Sequence, residues 1–510
     1  MCYLYFSYAG HTYLRFSDAA KFADIGRNII ENNLYASSFG FFPPRFEGSE
    51  ETFFYAGNVP FLTPAILAVS FLIFGVNDFA VIFPSMLFFV GLVIAVYLLT
   101  KKLYGELAGL LAALAVAGNI HFLDYATSGA SEVLFTLEII LMIYLFLSKR
   151  RLAFVLGILL LIATYFTRSQ AVVFIFGIGF LLIGLKKGLK VAIAVSILGA
   201  GLLVLVDNFV LYPLSRKLPI PTLTIRAIQA IRIYAASAVT SDALRGSEIV
   251  YLSYKEIFIR TIYNIYNFYR SLPDIVSPYL FALYVFGLTI KEKSKEANAI
   301  KITSAFLAAG IIFMAAITIP LYRYLHPIVP LLYVFACGAL VKFVRLNFKS
   351  KNIVTGVSLL LLLMFCVGQT LGTLVLDSRS LNNNKNIGKP PAYRLEVEIL
   401  KNTIDPNALV VTNLDTWGTW YGNRSTLWFS LRPEMLEEFD DKIDAIYLTN
   451  YKIDDENYYM GLEWRDVFEH PENPQDEYIR NNYEFVGEYK ILADQTYENE
   501  EGRAVLLIHK

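Results

Sequence analysis

"DFAVIFPSMLFFVGLVIAVYLLTKK", residues 78–102, is the stretch that decides the fold of this chain. Residues 78–99 are almost entirely apolar, and a helix of about 20 apolar residues crosses the hydrocarbon core of a bilayer. Lys101 and Lys102 follow directly, and cytoplasmic loops of membrane proteins are enriched in Lys and Arg. The stretch therefore predicts a transmembrane helix that ends on the cytoplasmic side.

The same pattern recurs along most of the chain. Ten spans are predicted, at residues 78–99, 104–122, 129–147, 152–167, 170–185, 190–206, 277–290, 302–319, 326–345 and 353–375. Every second connection is basic, at residues 101–102, 149–151, 186–190, 291–301 and 342–351. This alternation predicts a multi-pass protein of the plasma (inner) membrane. It places residues 1–77, the 207–276 loop and the tail after Leu376 on the extracytoplasmic side.

The composition agrees with a membrane protein that carries a separate polar part. Of 510 residues, 56% are hydrophobic and only 17% are charged, whereas soluble domains carry about 25% charged residues. The segment from Asp377 to Lys510 contains 14 basic and 26 acidic residues, while the rest of the chain has an excess of basic residues. Such a split predicts two parts in different surroundings.

The acidic tail has the pattern of a small α/β domain. Residues 407–413, 445–449 and 504–510 are predicted as strands, with helices at 392–404 and 433–443. The predicted fold class is therefore an α-helical polytopic membrane protein with a small extracytoplasmic C-terminal α/β domain. Its predicted domains are a first outer loop at 1–77, a transmembrane domain at 78–376 that includes the 207–276 loop, and the tail at 377–510.

Two apolar stretches near the start do not fit the set of spans. "PFLTPAILAVSFLIFG", residues 60–75, is short and contains Pro64, so a helix lying along the membrane interface is favoured over a crossing. A crossing is the alternative, and it would place the N-terminal segment in the cytoplasm. "MCYLYFSYA", residues 1–9, is too short to span and resembles the outer end of a span. We therefore expect a further span upstream of Asp18.

Several classes of site are not indicated. The three cysteines imply no disulfide framework or metal cluster, and the five histidines lack H-x-x-x-H spacing. No Gly-rich phosphate loop is present, so no free-nucleotide site is predicted. We expect no metal site, although a divalent cation remains possible, and no nucleic-acid partner.

Two aromatic segments each allow two interpretations. "YKEIFIRTIYNIYNFYRSL", residues 254–272, has helical apolar spacing and suits a helix at the lipid interface, or alternatively a wall of an acceptor or lipid-phosphate site. The tail contains four flat aromatic rings that suit the apolar faces of sugars, but packing in the core of the domain is the favoured interpretation. These rings are Trp417, Trp420, Tyr421 and Trp428.

Charged residues at membrane depth are costly, so they are functional candidates. Asp18 lies at the start of the amphipathic helix "LRFSDAAKFADIGRNIIENN", residues 14–33, in which Ser17 or Asp18 is expected to be the cap. Glu132, Arg168 and Arg323 lie at the predicted outer ends of spans, and His326 follows Arg323 by three residues. The predicted topology places all of them at one boundary between membrane and water.

Two acids and two arginines suit transfer from a donor with a phosphate leaving group. A carboxylate takes a proton from the attacking hydroxyl, and guanidinium groups hold the departing phosphate. Simpler roles are available for each residue taken singly. Asp18 could only cap its helix, Glu132 could only interact with a helix dipole, and the arginines could be lipid anchors.

At these residues the chain resembles the superfamily C membrane glycosyltransferases, in particular the relatives of protein mannosyltransferases and of the aminoarabinose transferase of lipid A. The motifs that carry the resemblance are "SDAAKFADIGRNIIENNLY", "SGASEVLFTL", "ATYFTRSQAVV", "YRYLHPIVPLL" and the stretch from Gly57 to Gly105. The resemblance implies a catalytic acid at Asp18, a polyprenyl-phosphate-linked sugar donor and inversion at the anomeric carbon. Ala19 stands where many members have a second acid, which makes metal binding there less expected.

The predicted function is an inverting hexosyl- or pentosyltransferase that uses a lipid-phosphate sugar donor and an extracytoplasmic lipid, glycan or protein acceptor. Asp18 is the predicted base, Arg168 and Arg323 bind the donor phosphate, and Glu132 and His326 position substrate. One alternative is a transporter or flippase of lipid-linked glycans. That class predicts paired charges at mid-membrane and repeated halves, and the sequence shows neither. A ligase or polymerase of surface glycans is the other alternative, and it shares the donor chemistry.

Overall fold

The computed structural model describes residues 13–14, 16–47, 53–56, 59–148, 150–168, 170–215, 231, 252–290, 292, 294–367, 389–454, 459–496 and 501–510. The predicted upstream span lies outside the described residues. So do the polar linker before residue 389, the end of the last predicted span and most of the basic residues in the 207–276 loop.

Helices form the first three-quarters of the molecule. Those up to residue 215 are α1 (Ser17–Glu31), α2 (Leu62–Phe74), α3 (Asp78–Tyr104), α4 (Glu106–Ala117), α5 (Ile120–Ser128), α6 (Glu132–Phe146), α7 (Arg151–Tyr165), α8 (Ala171–Lys187), α9 (Leu189–Val206) and α10 (Tyr212–Ser215). Those from residue 254 onward are α11 (Tyr254–Arg270), α12 (Leu272–Ile275), α13 (Pro278–Thr289), α14 (Lys295–Ile317), α15 (Val329–Asn347) and α16 (Lys351–Val367). Two 3₁₀ turns, Tyr322–Tyr324 and His326–Ile328, connect α14 to α15.

Within the described part of the chain, three helical stretches are long and apolar enough to cross a membrane, at Asp78–Tyr104, Glu296–Ile317 and Tyr322–Asn347. Helices α4 and α5 pass the same test together, although they are bent by 58° at the break between them. Shorter apolar helices cover most of the remaining predicted spans. The mostly helical, apolar architecture is thus confirmed, while the number of crossings and their sidedness stay predictions.

The predicted span at 104–122 differs from the structure, which contains two helices there. Helix α4 ends at Ala117, and the Asn119 side chain accepts hydrogen bonds from the backbone N–H groups of His121 and Phe122. Asn119 therefore caps a new helix, α5, and its amide also donates to the Tyr333 hydroxyl over 3.1 Å. The apolar composition runs through this break, so hydropathy alone does not reveal it.

The basic connections lie together at one end of the helical bundle. Lys342, in α15, pairs with Glu292 and lies 5.2 Å from the centre of the Tyr104 ring at the end of α3. Lys102 lies 5.1 Å from the Tyr144 ring, near the end of α6. These contacts join four of the five connections that the alternation of charge places on one side of a membrane.

The C-terminal part forms a six-stranded mixed sheet. Its strands are β2 (Phe39–Gly40), β5 (Leu409–Thr412), β6 (Ser425–Trp428), β7 (Ala445–Thr449), β8 (Tyr483–Ile491) and β9 (Gly502–His509), in the order β2-β6-β5-β7-β9-β8. Strands β2, β6, β5 and β7 are parallel, and β9 pairs antiparallel with β7 and β8. A separate small sheet contains β1 (Ala36–Ser37), β3 (Phe46–Glu47) and β4 (Phe53–Tyr55).

The predicted strands β5, β7 and β9 are confirmed, as is the helix at 392–404, which is α17 (Ala392–Thr403). The second predicted helix is a 3₁₀ helix, Pro433–Lys442, with a kink at Phe439. Three further short helices are α18 (Trp417–Trp420), α19 (Leu462–Glu469) and α20 (Glu477–Asn482).

The aromatic residues of the tail are core residues, as the more favoured interpretation predicted. Trp417, Trp420 and Tyr421 belong to a core shared with α1, α2 and α17, and Trp428 packs in a second core on the other face of the sheet. The N-terminal loop and the C-terminal domain therefore share their hydrophobic cores.

Candidate active site

Helix α1 presents Asp18 in its first turn. The residue at the N-cap position is Phe16, and no side chain caps this helix, so the prediction that Ser17 or Asp18 is the cap is wrong. The Asp18 carboxylate instead pairs with Arg323, with 2.8 Å between Oδ2 and Nη2. The side chain of Asp18 is 44% exposed, so the carboxylate remains accessible.

Arg323 lies in the 3₁₀ turn between α14 and α15. Pro320 and Pro327 flank this turn, and proline does not continue a helix through its own position because it lacks an N–H group. The Nε atom of Arg323 is buried and has no hydrogen-bond partner within the described part of the chain. The Arg323 side chain as a whole is 28% exposed, so an anionic oxygen can still approach it.

Arg168 and Glu132 form a second, buried ion pair. Glu132 is the first residue of α6, Arg168 lies between α7 and α8, and their side chains approach to 2.8 Å. Arg168 also donates to the Ser131 hydroxyl over 2.7 Å and to the Gln170 side chain over 3.0 Å. The two charged side chains are 10% and 4% exposed. A buried pair is stable only when its remaining polar groups are satisfied. Ser131 and Gln170 meet that need for Arg168, whereas Glu132 Oε1 contacts Arg168 and has no hydrogen-bond partner among the described residues.

Tyr324 connects the two ion pairs. The guanidinium carbon of Arg323 lies 5.7 Å from the centre of the Tyr324 ring, and that of Arg168 lies 5.9 Å from it. Asp18, Glu132, Arg168, Arg323 and Tyr324 are hereafter the acid–arginine cluster. Glu132 starts α6, and Arg323 lies just before α15. The other ends of these two helices carry basic connections, so the cluster lies at the end of the bundle opposite to those connections.

The charge on Asp18 is set by these neighbours. Partial burial acts to raise the pKa of the Asp18 carboxyl, but the guanidinium of Arg323 and then the charges of Arg168 and Lys21 outweigh it. The pKa of Asp18 is therefore lowered from its ordinary value. A carboxylate that stays ionised is in the state required of a general base.

His326 lies behind the cluster. Its ring is buried, stacks on His121 at 4.2 Å between centroids and contacts the Tyr125 hydroxyl through Nδ1. The Tyr125 ring in turn packs 5.8 Å from the ring of Phe16, directly before α1. A positioning role for His326 would thus act through Tyr125.

Asp24, six residues after Asp18 in α1, is fully buried. It pairs with Arg27 at 2.8 Å and accepts hydrogen bonds from the Ser37 hydroxyl and the Ser38 backbone N–H. It therefore fixes the loop after α1. As for metals, no group of three or more potential ligands occurs among the residues that the structure describes.

Sequence reasoning missed several residues of this site. Tyr324 was visible in "YRYLHP" only as an aromatic neighbour of Arg323, and Ser131 and Gln170 only as polar neighbours of Glu132 and Arg168. The signal that finds them is adjacency to a charged residue at the end of a span. Which acid pairs with which arginine has no signal in the sequence.

The comparisons agree with this architecture. Residues 58–212 match the family model described as dolichyl-phosphate-mannose-protein mannosyltransferase. Comparison with the curated proteins gave no match.

Among solved structures, ArnT from Cupriavidus metallidurans bound to undecaprenyl phosphate is similar, with 12% identity and a TM-score of 0.54 over 99% of this chain and 96% of that one. The archaeal oligosaccharyltransferase AglB from Archaeoglobus fulgidus, in complex with an inhibitory peptide and a dolichol-phosphate, gives 10% identity and a TM-score of 0.52. The match to AglB covers 84% of this chain and 65% of that one. The resemblance to the superfamily C membrane glycosyltransferases is thus confirmed, by fold over nearly the whole chain and by family model over residues 58–212.

Proposed function

We propose that the chain is a membrane glycosyltransferase that moves a sugar from a polyprenyl-phosphate carrier to an extracytoplasmic acceptor, with inversion at the anomeric carbon. The observation that carries the proposal is the Asp18–Arg323 pair, which places an ionised, partly exposed carboxylate beside a partly exposed arginine. The fold of ArnT, whose structure contains undecaprenyl phosphate, supports the carrier class.

In the proposed reaction, Asp18 removes the proton from an acceptor hydroxyl as its oxygen attacks the anomeric carbon. The bond between that carbon and the phosphate oxygen breaks, and its electron pair leaves with the polyprenyl phosphate. Arg323 and Arg168 stabilise the charge that develops on the phosphate. Glu132 orients Arg168 and positions donor or acceptor. The polyprenyl tail would lie along apolar helices of the bundle, in the plasma (inner) membrane.

The flippase alternative receives less support. Transport of a lipid-linked glycan predicts paired charges near mid-membrane, whereas the two ion pairs of the acid–arginine cluster lie at one end of the bundle. A ligase or polymerase would use the same donor chemistry and would differ in the size of its acceptor.

The test uses membranes that contain the protein, incubated with undecaprenyl-phosphate sugars that each carry one radiolabelled hexose or pentose. We expect Asp18→Asn to slow the loss of label from the carrier by at least about 100-fold, the scale of general-base catalysis. Glu31→Gln removes an exposed carboxylate from the other end of the same helix and serves as the matched control. Transfer by Asp18→Asn at the wild-type rate would refute the proposed base.

A further inference from the structure

The backbone that leads into α1 is bound by side chains of the C-terminal domain. The Tyr421 hydroxyl accepts from the Leu14 backbone N–H over 2.9 Å, and the Tyr393 hydroxyl donates to the Leu14 carbonyl over 3.1 Å. The Thr416 hydroxyl donates to the carbonyl of Ser17 over 2.8 Å, one residue before Asp18. Both ends of this short segment are therefore fixed.

The same domain also forms hydrogen bonds to the start of a long apolar helix. The Tyr421 hydroxyl donates to Asp78 Oδ2 over 2.9 Å, and Trp420 Nε1 donates to Asp78 Oδ1 over 2.8 Å. Asp78 is the first residue of α3. Tyr421 thus joins the segment before α1 to the head of α3 through one hydroxyl group.

A third contact holds α1 further along its length. Arg27 donates to the Asn423 side chain over 2.7 Å and to the Thr419 carbonyl over 3.2 Å. Asp24 pairs with the same guanidinium from one turn earlier in the helix. Helix α1 is therefore attached to the domain near both of its ends.

Aromatic packing makes the attachment rigid. The Trp417 ring stacks on Tyr393 at 4.7 Å and on Tyr421 at 6.1 Å between centroids. The guanidinium of Arg394 lies 4.3 Å from the centre of the Tyr421 ring. Stacked rings and buried hydrogen bonds leave Tyr421 little freedom to move.

The Asp18–Arg323 pair is not sufficient to hold Asp18 in place. Both side chains are partly exposed, and exposed ion pairs contribute little because they are screened and cost side-chain entropy. The position of α1 must therefore be fixed by buried contacts, and those of Tyr421, Tyr393 and Thr416 lie within four residues of Asp18.

We propose that the C-terminal domain is a positioning device for the reaction, in which Tyr421 and Thr416 hold Asp18 at the correct distance from Arg323. The inference rests on the proposed function of Asp18 as base. Neither residue touches the acid–arginine cluster directly, so both are positioning residues and act through the backbone before α1.

The test compares Tyr421→Phe with Tyr447→Phe in the full-length protein. Tyr447 is a matched control, because its buried hydroxyl donates over 2.7 Å to the Glu396 carbonyl within the same domain and makes no contact with α1 that the structure describes. We expect Tyr421→Phe to lower kcat by about 10- to 100-fold, since small errors in placement cost that much, with KM for the undecaprenyl-phosphate sugar unchanged. Tyr447→Phe should keep the wild-type kcat.

A second readout does not depend on activity. Hydrogen exchange at the Leu14 amide should accelerate at least about 10-fold in Tyr421→Phe and stay unchanged in Tyr447→Phe, because the Tyr421 hydroxyl accepts from that N–H and the Tyr447 hydroxyl does not. Thr416→Val should also lower kcat, and Thr416→Ser should restore it because serine keeps the hydroxyl.

The outcomes separate the two proposals. If wild type transfers sugar, Asp18→Asn does not, and Tyr421→Phe has the kcat and Leu14 exchange rate of Tyr447→Phe, the positioning role is overturned while the proposed function stands. If wild type transfers no sugar, the proposed function fails. The positioning inference then fails with it, even if exchange at Leu14 shows that Tyr421 holds this segment.

Discussion

Asp18 has a lowered pKa because the opposing charges of Arg323, Arg168 and Lys21 outweigh its partial burial. A group whose pKa is lowered by folding stabilises the native state above its unfolded pKa, and this contribution is lost as the pH falls through the folded pKa. Asp18 should therefore stay ionised throughout the range in which most proteins remain folded.

The pH profile of kcat/KM tests this charge state. We expect no loss from protonation of Asp18 between about pH 7 and pH 5, because ordinary carboxyl groups already titrate near pH 4 and this one titrates lower. Arg323→Gln removes the largest stabilising charge, so burial is then less opposed and the acidic limb should move to higher pH. Circular dichroism at each pH controls for unfolding. If kcat/KM fell at the same acidic pH in wild type and in Arg323→Gln, Arg323 would not be the group that lowers the pKa of Asp18.

The Glu132–Arg168 pair predicts an effect on stability. Glu132→Gln leaves the buried Arg168 without its counter-charge, and breaking a buried pair costs about 3–5 kcal/mol. The double variant Glu132→Leu/Arg168→Met removes both charges and should be more stable than Glu132→Gln. Thermal unfolding of the purified protein in detergent measures both. Equal melting temperatures for wild type and Glu132→Gln would show that the pair contributes nothing to stability.

Individual site residues were predictable from the sequence, but their partners were not. A charge at the end of an apolar stretch costs free energy and is therefore a functional candidate. This rule identifies Asp18, Glu132, Arg168 and Arg323. Their pairing depends on how distant helices pack, and single-sequence patterns carry no such information. Tyr324 and Tyr421 remained unrecognised as contributors because tyrosines are common in this chain, which contains 33 of them.

Helices α1 and α2 pack closely through Gly26. A Cβ atom at this position would lie 3.1 Å from the Pro64 carbonyl oxygen and 3.2 Å from Leu67 Cβ. These distances are shorter than ordinary van der Waals contacts, so alanine already requires the helices to shift by a few tenths of an ångström and a larger side chain requires them to separate further.

Gly26→Leu should therefore destabilise the protein by about 1–3 kcal/mol, the usual effect of overpacking. It should also lower the transfer rate, because α1 carries Asp18. Gly26→Ala is the matched control with one added carbon, and it should have the smaller effect on both properties. Thermal unfolding and the transfer assay measure the two effects. An unchanged melting temperature in Gly26→Leu would show that α1 and α2 can separate without loss of stability.

At this scale hydropathy predicted where most helices lie but not where they break. The stretch at 104–122 is apolar throughout, yet the Asn119 side chain satisfies backbone N–H groups that a continuous helix would satisfy with carbonyls. The backbone can form hydrogen bonds either in one continuous helix or in two helices with a cap between them. Tertiary contacts such as that of Asn119 with Tyr333 favour the two helices.

The arrangement of the whole molecule was foreseeable only in part. Alternation of basic connections predicted that the loops after α3 and α6 share one end, and the contact of Lys102 with the Tyr144 ring agrees. The joining of the N-terminal loop to the C-terminal sheet was not foreseeable. Strand β2 has two residues, and no period-2 pattern can be recognised in so short a stretch.

This shared sheet predicts that the C-terminal domain is incomplete by itself. Strand β2 pairs with β6, and Phe39 and Phe42 are buried in the core that contains Trp428 and Phe429. Residues 389–510 alone would leave β6 as an exposed edge strand beside uncovered aromatic rings, which favours aggregation. Burying each phenylalanine contributes about 1.5–3 kcal/mol.

We therefore expect residues 389–510 to be poorly soluble when produced alone. Fusing residues 36–47 before residue 389 through a flexible Gly/Ser linker should give a soluble domain with a higher melting temperature. The same fusion with Phe39→Ala and Phe42→Ala is the matched control, and it should behave like the domain alone because the strand remains but its buried rings are lost. Thermal unfolding and size-exclusion chromatography make the comparison. A soluble, cooperatively folded 389–510 fragment would show that the sheet is complete without β2. The C-terminal domain would then fold without the N-terminal loop, although the loop packs on the domain.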